Sequence, residues 1–226
     1  MLYSSKASRS LCSLYNIFIR EYREHYIVKA PIKKERIFRV LSLQEGLNIS
    51  QLSRETRLAK SYVFKVLREL ENENVVWISG KIYVNHDLLI RKWGEVKRSI
   101  FEKITPLTLN LLIPEKIRNI LKNYVISGPF AEMLIQGETS GKPLIVYVDE
   151  KDFLHLKEVV LSRYRISTGY IRLYPYDSDI FRNSWMHRGW RIANIPQIAA
   201  DIIALGTFAD IGLELYRRWL DARQRV

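Results

Sequence analysis

The chain has 226 residues, of which 47% are hydrophobic and 27% charged, a composition typical of a globular protein with one large domain or two modest ones. No apolar run approaches the roughly 18 residues that would span a bilayer, and residues 1–10 lack the apolar core of a secretory signal. We therefore expect a cytoplasmic protein of two domains with no membrane partner.

Its single cysteine, Cys12, excludes an internal disulfide, and its four histidines are scattered without the spacing of metal ligands. We expect no structural metal and no cofactor. The net charge of +12 is concentrated in one half: residues 1–104 contain 20 Lys and Arg against 11 Asp and Glu, whereas residues 105–226 contain 16 against 13. Clustered cations favour phosphate backbones, although a basic surface can also serve solubility alone.

Large apolar side chains recur at three- and four-residue steps from Leu11 to Tyr26. This periodicity predicts an amphipathic helix over residues 10–25, which either packs on the next domain or pairs with a second copy of the chain. Ala30 precedes Pro31 and is therefore pushed out of the helical region, so residues 1–31 are predicted as a separate N-terminal segment.

Two short helices are predicted next. The first covers residues 33–46 and ends at Glu45-Gly46, where glycine can adopt the left-handed conformation of a helix cap. Asn48 and Gln51 have the spacing of a capping box, so the second helix should open at residue 49 or 50 and end near Thr56.

A third helix is predicted over residues 60–72, after a turn at 57–59. The 3.6-residue period gives it a buried face and an outward face. The buried face comprises Val63, Val66, Leu67 and Leu70, and the outward face comprises Ser61, Tyr62, Lys65 and Arg68.

Two short strands, residues 75–78 and 81–84, follow and are joined by a tight turn at Ser79-Gly80. Helix, helix, turn, helix and two-stranded ribbon is the order of a winged helix-turn-helix, which we predict over residues 32–87. Residues 49–53 and 60–70 resemble the regulator families with that fold. The alternative use of such a module is protein contact or oligomerisation.

In a winged helix-turn-helix, the third helix enters the major groove of double-stranded DNA and the ribbon contacts the backbone or the minor groove. Ser61, Tyr62 and Lys65 should then contribute sequence preference. The full set of predicted DNA-binding residues is Lys60, Ser61, Tyr62, Lys65, Arg68, Arg54, Arg57 and Lys81, of which Arg54, Arg57 and Arg68 grip phosphates and Lys81 acts from the wing.

A linker helix is predicted within residues 88–106, followed by a mixed α+β domain over residues 107–226. Its predicted strands are 124–126, 144–148, 171–174 and 190–193; its predicted helices are 130–135, 152–163 and two pieces from residue 195 onward that are broken near Gly206.

Three segments of this domain are similar to the AbiEi-type antitoxins of bacterial and archaeal type IV toxin-antitoxin systems: Ser127-Gly128-Pro129-Phe130-Ala131, residues 144–149 and residues 195–203. The resemblance implies a winged helix joined to a C-terminal domain, repression of the protein's own operon, and action against a nucleotidyltransferase toxin. A homodimer is a further expectation, because one winged helix reads only half of a two-fold operator.

The strand, Gly-containing turn, helix and strand of this domain also resemble a nucleotidyltransferase core, in which two aspartates on one strand hold metal ions. Here the strand over residues 144–148 has no carboxylate until Asp149 and Glu150. Because alternate residues of a strand share a face, these neighbours would point apart. We therefore expect a nucleotidyltransferase-like scaffold without catalytic residues and no enzymatic activity.

Two further motifs give weaker signals. Residues 137–142 suggest a phosphate loop, but the spacing is one residue short and Pro143 occupies the place of the hydroxyl residue. Asp177 and Asp179 could line a pocket with nearby aromatic residues, but satisfied surface carboxylates are the commoner case.

The preferred hypothesis is a DNA-binding transcriptional regulator that serves as the antitoxin and autorepressor of a two-gene module. One alternative is a nucleotidyltransferase-like enzyme with an attached nucleic-acid-binding module. The other is a protein-binding antitoxin that does not recognise DNA.

Overall fold

The computed structural model describes residues 29–109, 114–164 and 169–225, and it has the predicted mixed α+β architecture. The helix predicted over residues 10–25 lies outside the described residues. None of the described helices combines the length and the apolar character needed to cross a membrane.

The N-terminal half consists of three helices, a hairpin and a long fourth helix. These elements are α1 (Lys29–Leu43), α2 (Ile49–Thr56), α3 (Lys60–Asn72), β1 (Val76–Ser79), β2 (Lys81–Val84) and α4 (His86–Lys103). The predicted bounds of α2 and α3 are confirmed, and those of the two strands hold to within one residue. The hairpin is antiparallel and turns at Gly80, whose φ of +70° favours glycine.

The predicted bounds of α1 were wrong at both ends. The helix begins at Lys29, so the prediction that Ala30 lies outside the helical region was wrong. Pro31 is tolerated because it lies in the first turn, where a missing backbone N–H removes no helical hydrogen bond. It ends at Leu43, before Gly46, which has the predicted left-handed φ of +68°.

The C-terminal half is built around a sheet with strand order β3-β6-β5-β4-β8-β7 among the described residues. Strand β5 runs parallel to β6, β4 runs parallel to β8, and the other neighbours are antiparallel. Its elements are β3 (Leu107–Leu109), α5 (Glu115–Arg118), β4 (Tyr124–Ser127), α6 (Gly128–Ile135), β5 (Leu144–Asp149), α7 (Glu150–Arg163), β6 (Ile171–Tyr176), a 3-10 helix (Ser178–Phe181), β7 (Trp185–His187), β8 (Trp190–Ile192), α8 (Ile195–Leu205) and α9 (Ala209–Gln224).

The two halves share one continuous hydrophobic core. Helix α8 packs against α4, α9 and α1. Its crossing with α4 is very close, since a β-carbon at Gly94 would lie 2.4 Å from Ile203 Cγ2. Helix α1, which belongs to the N-terminal half in sequence, is therefore packed against the C-terminal half in space.

Candidate nucleic-acid interface

Helices α2 and α3 are joined by a short, well-defined turn. At the start of α2, Asn48 Oδ1 accepts from the backbone N–H of Gln51 at 2.9 Å, and Gln51 Oε1 accepts from that of Asn48 at 2.8 Å, which confirms the predicted capping box. At its end, Arg57 has φ +55° and ψ +37°, and Ser53 Oγ donates to Leu58 O at 2.7 Å. These contacts fix the direction in which α3 leaves α2.

The predicted buried face of α3 is confirmed, since Val63, Val66, Leu67 and Leu70 are almost completely excluded from solvent. On the other side, Ser61 and Lys65 are exposed, whereas Tyr62 is half-buried. Burial and then Glu69 raise the pKa of Tyr62. Tyr62 therefore lies on a flank of the helix rather than on its outermost face.

Five of the predicted DNA-binding residues are exposed cations that form no ion pair with any residue the structure describes. We call them the unpaired basic residues; they are Arg54, Arg57, Lys60, Lys65 and Lys81. Their positions are the end of α2, the start and middle of α3, and the hairpin. Exposed charges without partners keep their full attraction for an anionic ligand.

Arg68 is different, because its charge is already engaged. Its guanidinium contacts the Glu71 carboxylate at 2.5 Å and lies 5.0 Å from the centre of the Phe64 ring. Glu71 Oε1 also accepts from the backbone N–H of Ile78 at 3.2 Å. Glu71 thus ties the hairpin to α3 and reduces the charge that Arg68 can offer to a phosphate.

The hairpin is also tied to the loop before α2. The backbone N–H of Ile82 donates to Leu47 O at 2.7 Å, and a β-carbon at Gly46 would lie 3.8 Å from Lys81 Cδ. Lys81 consequently runs alongside the Gly46 turn.

Of the eight residues predicted to bind DNA, seven are exposed and one, Tyr62, is half-buried.

A second group of charged side chains was not predicted. We call it the buried polar cluster, and its members are fully or almost fully excluded from solvent. They come from α1, α4, β6 and α8 and comprise Glu35, Arg39, Lys97, Tyr176, Gln197 and Asp201.

Glu35 and Lys97 are at the centre of this cluster. Lys97 Nζ lies 3.0 Å from Glu35 Oε1, 2.9 Å from the Tyr176 hydroxyl and 3.4 Å from Asp201 Oδ1. Tyr176 also donates to the other oxygen of Glu35. Burial alone would raise the pKa of Glu35, but Lys97 and Arg39 hold that pKa below its usual value.

Gln197 joins the two carboxylates to Arg39. Its amide nitrogen donates to Glu35 at 2.9 Å and to Asp201 at 3.0 Å, and its oxygen accepts from Arg39 Nη2 at 2.9 Å. Asp201 Oδ2 also accepts from Ser127 Oγ at 2.5 Å. The two carboxylates of the cluster, Glu35 and Asp201, are matched by the two cations, Arg39 and Lys97. Burial raises the pKa of Asp201, although the nearby Lys97 opposes this shift.

The aromatic surroundings of Lys97 complete its environment. Its ammonium lies 4.2 Å from the ring centre of Tyr176 and 4.4 Å from that of Tyr147, distances typical of cation–π contacts. The Tyr147 hydroxyl is buried, and none of the described residues is its hydrogen-bond partner. Burial and then Asp201 raise its pKa well above the usual value. The cluster is closed to solutes, so we interpret it as structural.

The predicted likeness to a nucleotidyltransferase site falls at β4, α6 and β5. Ser127 ends β4 and is bonded to Asp201 inside the core. Asp149 ends β5 and caps α7 by accepting from the backbone N–H of Lys151 at 2.9 Å, while Glu150 is exposed. Within residues 29–109, 114–164 and 169–225, no three His, Cys, Asp or Glu side chains are grouped as metal ligands would be.

The rejected phosphate-loop motif is folded onto α6. Glu132 accepts from the backbone N–H groups of Glu138 and Thr139 at 3.1 and 2.8 Å, and Thr139 Oγ1 donates to Pro129 O at 2.6 Å. The carboxylate of Glu132 thus occupies the backbone donors that a phosphate would need.

Asp177 and Asp179 are satisfied, as expected, and both are more deeply placed than ordinary surface carboxylates. Asp177 pairs with Arg36 at 3.0 Å, and Asp179 pairs with the buried Arg39 at 2.5 Å. Their expected position on the surface holds only in part, because Arg36 and Arg39 of α1 lie against them and leave 18% of the Asp177 side chain and 14% of the Asp179 side chain exposed. Both carboxylates help to hold α1 against the C-terminal half.

Comparison of the chain with protein-family models, with curated proteins and with solved structures gave no match. What the chain does must therefore be inferred from its own residues.

Proposed function

We propose that this protein is a DNA-binding transcriptional regulator in which residues 32–87 form a winged helix-turn-helix. The order and spacing of α1, α2, α3 and the β1–β2 hairpin match that motif. The observation that carries the proposal is the exposed face of α3, with unpaired basic residues on α3, on the end of α2 and on the hairpin.

In this proposal, α3 lies in the major groove with its N-terminal turns against the base edges. Ser61 and Lys65 read bases, and Tyr62 contributes from the flank of the helix. Arg54, Arg57 and Lys60 bind phosphates around the groove, while Lys81 binds the backbone beside the hairpin. With the four phosphate contacts of this arrangement, log K should fall with log salt with a slope of about −3.6.

The experiment is binding of the full-length protein to the DNA upstream of its own coding sequence, with an unrelated duplex of equal length as competitor. Specific complexes are typically at least about 10³-fold tighter than non-specific ones at physiological salt. Equal affinity for both duplexes at every salt concentration would contradict a regulator and favour general nucleic-acid binding.

The proposal extends to the C-terminal half through the resemblance to AbiEi-type antitoxins. We infer that this half has a nucleotidyltransferase-like scaffold, performs no nucleotide transfer and contacts a nucleotidyltransferase toxin. The position of Asp149 as a helix cap supports the absence of transfer, because a capping carboxylate is already engaged with a backbone N–H.

Incubation with labelled nucleoside triphosphates, Mg²⁺ or Mn²⁺ and RNA tests the absence of transfer. We expect no labelled product. Product that disappears in Asp149→Ala would instead establish the nucleotidyltransferase-like enzyme.

Light scattering with and without operator DNA tests the expected homodimer, since two copies should bind a two-fold operator.

A further inference from the structure

The outer face of the hairpin presents two stacked aromatic rings to solvent. Trp77 on β1 and Tyr83 on β2 are paired residues, and their ring centres lie 5.2 Å apart with an angle of 9° between the planes. Trp77 is 52% exposed and Tyr83 42% exposed. The stacked pair keeps a large part of its aromatic surface in water.

Stabilisation of the hairpin explains only part of this arrangement. A cross-strand aromatic pair makes a modest contribution to the stability of a hairpin. The stack of Trp77 on Tyr83 obtains that contribution, yet it leaves the outer side of the pair uncovered. Aromatic side chains exposed next to each other are typical of binding surfaces.

The charge of this face indicates its occupant. Positions 77, 79, 81 and 83 share one side of the hairpin, because Trp77 pairs with Tyr83 and Ser79 pairs with Lys81. None of these four residues is acidic, and Lys81 is one of the unpaired basic residues. A second copy of the same face would bring lysine against a surface without carboxylates, whereas a nucleotide offers both a flat ring and a phosphate.

Paired bases show only their edges in the grooves of a duplex, so an aromatic ring can stack on a base only where that base is unpaired. We propose that Trp77, Tyr83 and Lys81 bind an unpaired nucleotide, with its base on the exposed aromatic stack and its phosphate near the lysine. This inference rests on the proposed function, because the duplex next to the unpaired base would be held by α3.

The link between α3 and the hairpin makes simultaneous binding possible. The Glu71 side chain contacts both Arg68 of α3 and the backbone of Ile78 in β1. The hairpin is therefore held at a fixed position relative to the face of α3 that would contact the duplex. The protein should prefer DNA in which a paired region adjoins a single-stranded one.

The experiment compares the affinity of the full-length protein for the paired upstream duplex with its affinity for the same duplex carrying a single-stranded extension at the 5′ or 3′ end. Stacking of one base on an aromatic side chain should make one of the extended DNAs bind roughly 10-fold more tightly. Trp77→Ala should abolish this preference and leave the affinity for paired DNA unchanged. Trp77→Phe should retain part of the preference, because it keeps an aromatic ring.

Leu161→Ala is the matched control, since Leu161 of α7 is an exposed apolar residue, 43% exposed, in the other half of the chain. It should keep the full preference. Equal affinity of the parent protein for paired and extended DNA would overturn the inference while leaving the proposed function intact. A change of oligomeric state in Trp77→Ala, with the preference unaltered, would show that the face joins copies of the chain and would also overturn it. Failure to bind any of these DNAs would overturn both proposals.

Discussion

Charged side chains occupy two opposite environments in this molecule. The unpaired basic residues of α2, α3 and the hairpin are exposed and have no ion-pair partner among the described residues. The charges of the buried polar cluster are excluded from water, and each has a partner of opposite sign. Loss of an exposed charge should change what the protein binds, whereas loss of a buried charge should change whether it stays folded.

The largest effect is expected for Glu35→Ala. Its removal leaves Lys97 with Asp201, at 3.4 Å, as its one anionic partner among the described residues, and takes an acceptor from Tyr176 and Gln197. Breaking a buried ion pair typically costs about 3–5 kcal/mol. Chemical denaturation should show a loss of this size, and Glu150→Ala, which removes an exposed carboxylate, should change stability by less than about 0.5 kcal/mol. Equal stability of the two variants would contradict a structural role for the cluster.

Lys65→Ala should weaken DNA binding and leave the stability of the protein unchanged. Loss of a base contact typically costs roughly 1–3 kcal/mol in binding and reduces discrimination between sequences. The free energy of unfolding should stay within about 0.5 kcal/mol of the parent value, because Lys65 is exposed. Competition binding with the upstream duplex and an unrelated duplex measures the first quantity. A lower stability with unchanged discrimination would place Lys65 outside the interface.

Arg57→Ala and Arg68→Ala form a pair that sharpens the distinction between free and engaged charges. Arg57 has no ion-pair partner among the described residues, whereas Arg68 contacts Glu71 at 2.5 Å. Removal of Arg57 should reduce the salt slope by about one unit. Removal of Arg68 should reduce it by less, since a guanidinium that is already paired with Glu71 makes a weaker contact with a phosphate. A larger change for Arg68 would mean that the ion pair opens when DNA binds.

His86 should produce the smallest effect, and the effect should depend on pH. Its Nδ1 lies 2.8 Å from the Tyr216 hydroxyl, and burial lowers its pKa below 6.5 despite the opposing effect of Glu45. As pH falls through 6.5, the unfolded chain therefore takes up this proton before the folded chain does, and stability falls. Thermal unfolding between pH 7.5 and 5.5 should show a smaller decline in His86→Gln than in the parent protein. An identical decline would show that other groups cause it.

The sequence was informative where structure depends on local spacing. The capping box of Asn48 and Gln51 and the buried face of α3 follow from residues three or four apart, and both predictions are confirmed. The three-residue strands β3 and β7 were missed, whereas the equally short β8 was predicted, because a period of two gives only a weak signal over so short a stretch.

The buried polar cluster was missed because its partners are distant in sequence. Lys97 falls within the predicted linker helix, and it hydrogen-bonds to residues 62 and 79 positions away. One local signal was present: Lys97 follows Trp93 by four residues and precedes Ile100 by three, so it lies on the apolar face of α4. A lysine on the buried face of a helix needs an anionic partner in the core. The sequence does not identify that partner, and only the fold shows that it is Glu35.

The exposed residues of the proposed interface were predicted from the sequence, but one of their contacts was not. Their identity and approximate direction were predicted from the period of α3, but the engagement of Arg68 by Glu71 was not. That pair has helical i, i+3 spacing and could have been recognised in the sequence. What spacing could not indicate is that Glu71 also binds the hairpin backbone, since that contact depends on how β1 packs against α3.

In the proposed function, the unpaired basic residues bind DNA. Its most direct test is the affinity for the upstream duplex, measured across salt concentrations, for Arg57→Ala, Lys65→Ala and Lys81→Ala, with Lys151→Ala of α7 as the control. We expect weaker binding in all three variants, a salt slope reduced by about one unit for each lost phosphate contact, and parent-like behaviour in the control. If all three variants bind like the parent protein at every salt concentration, α3 and the hairpin do not recognise DNA.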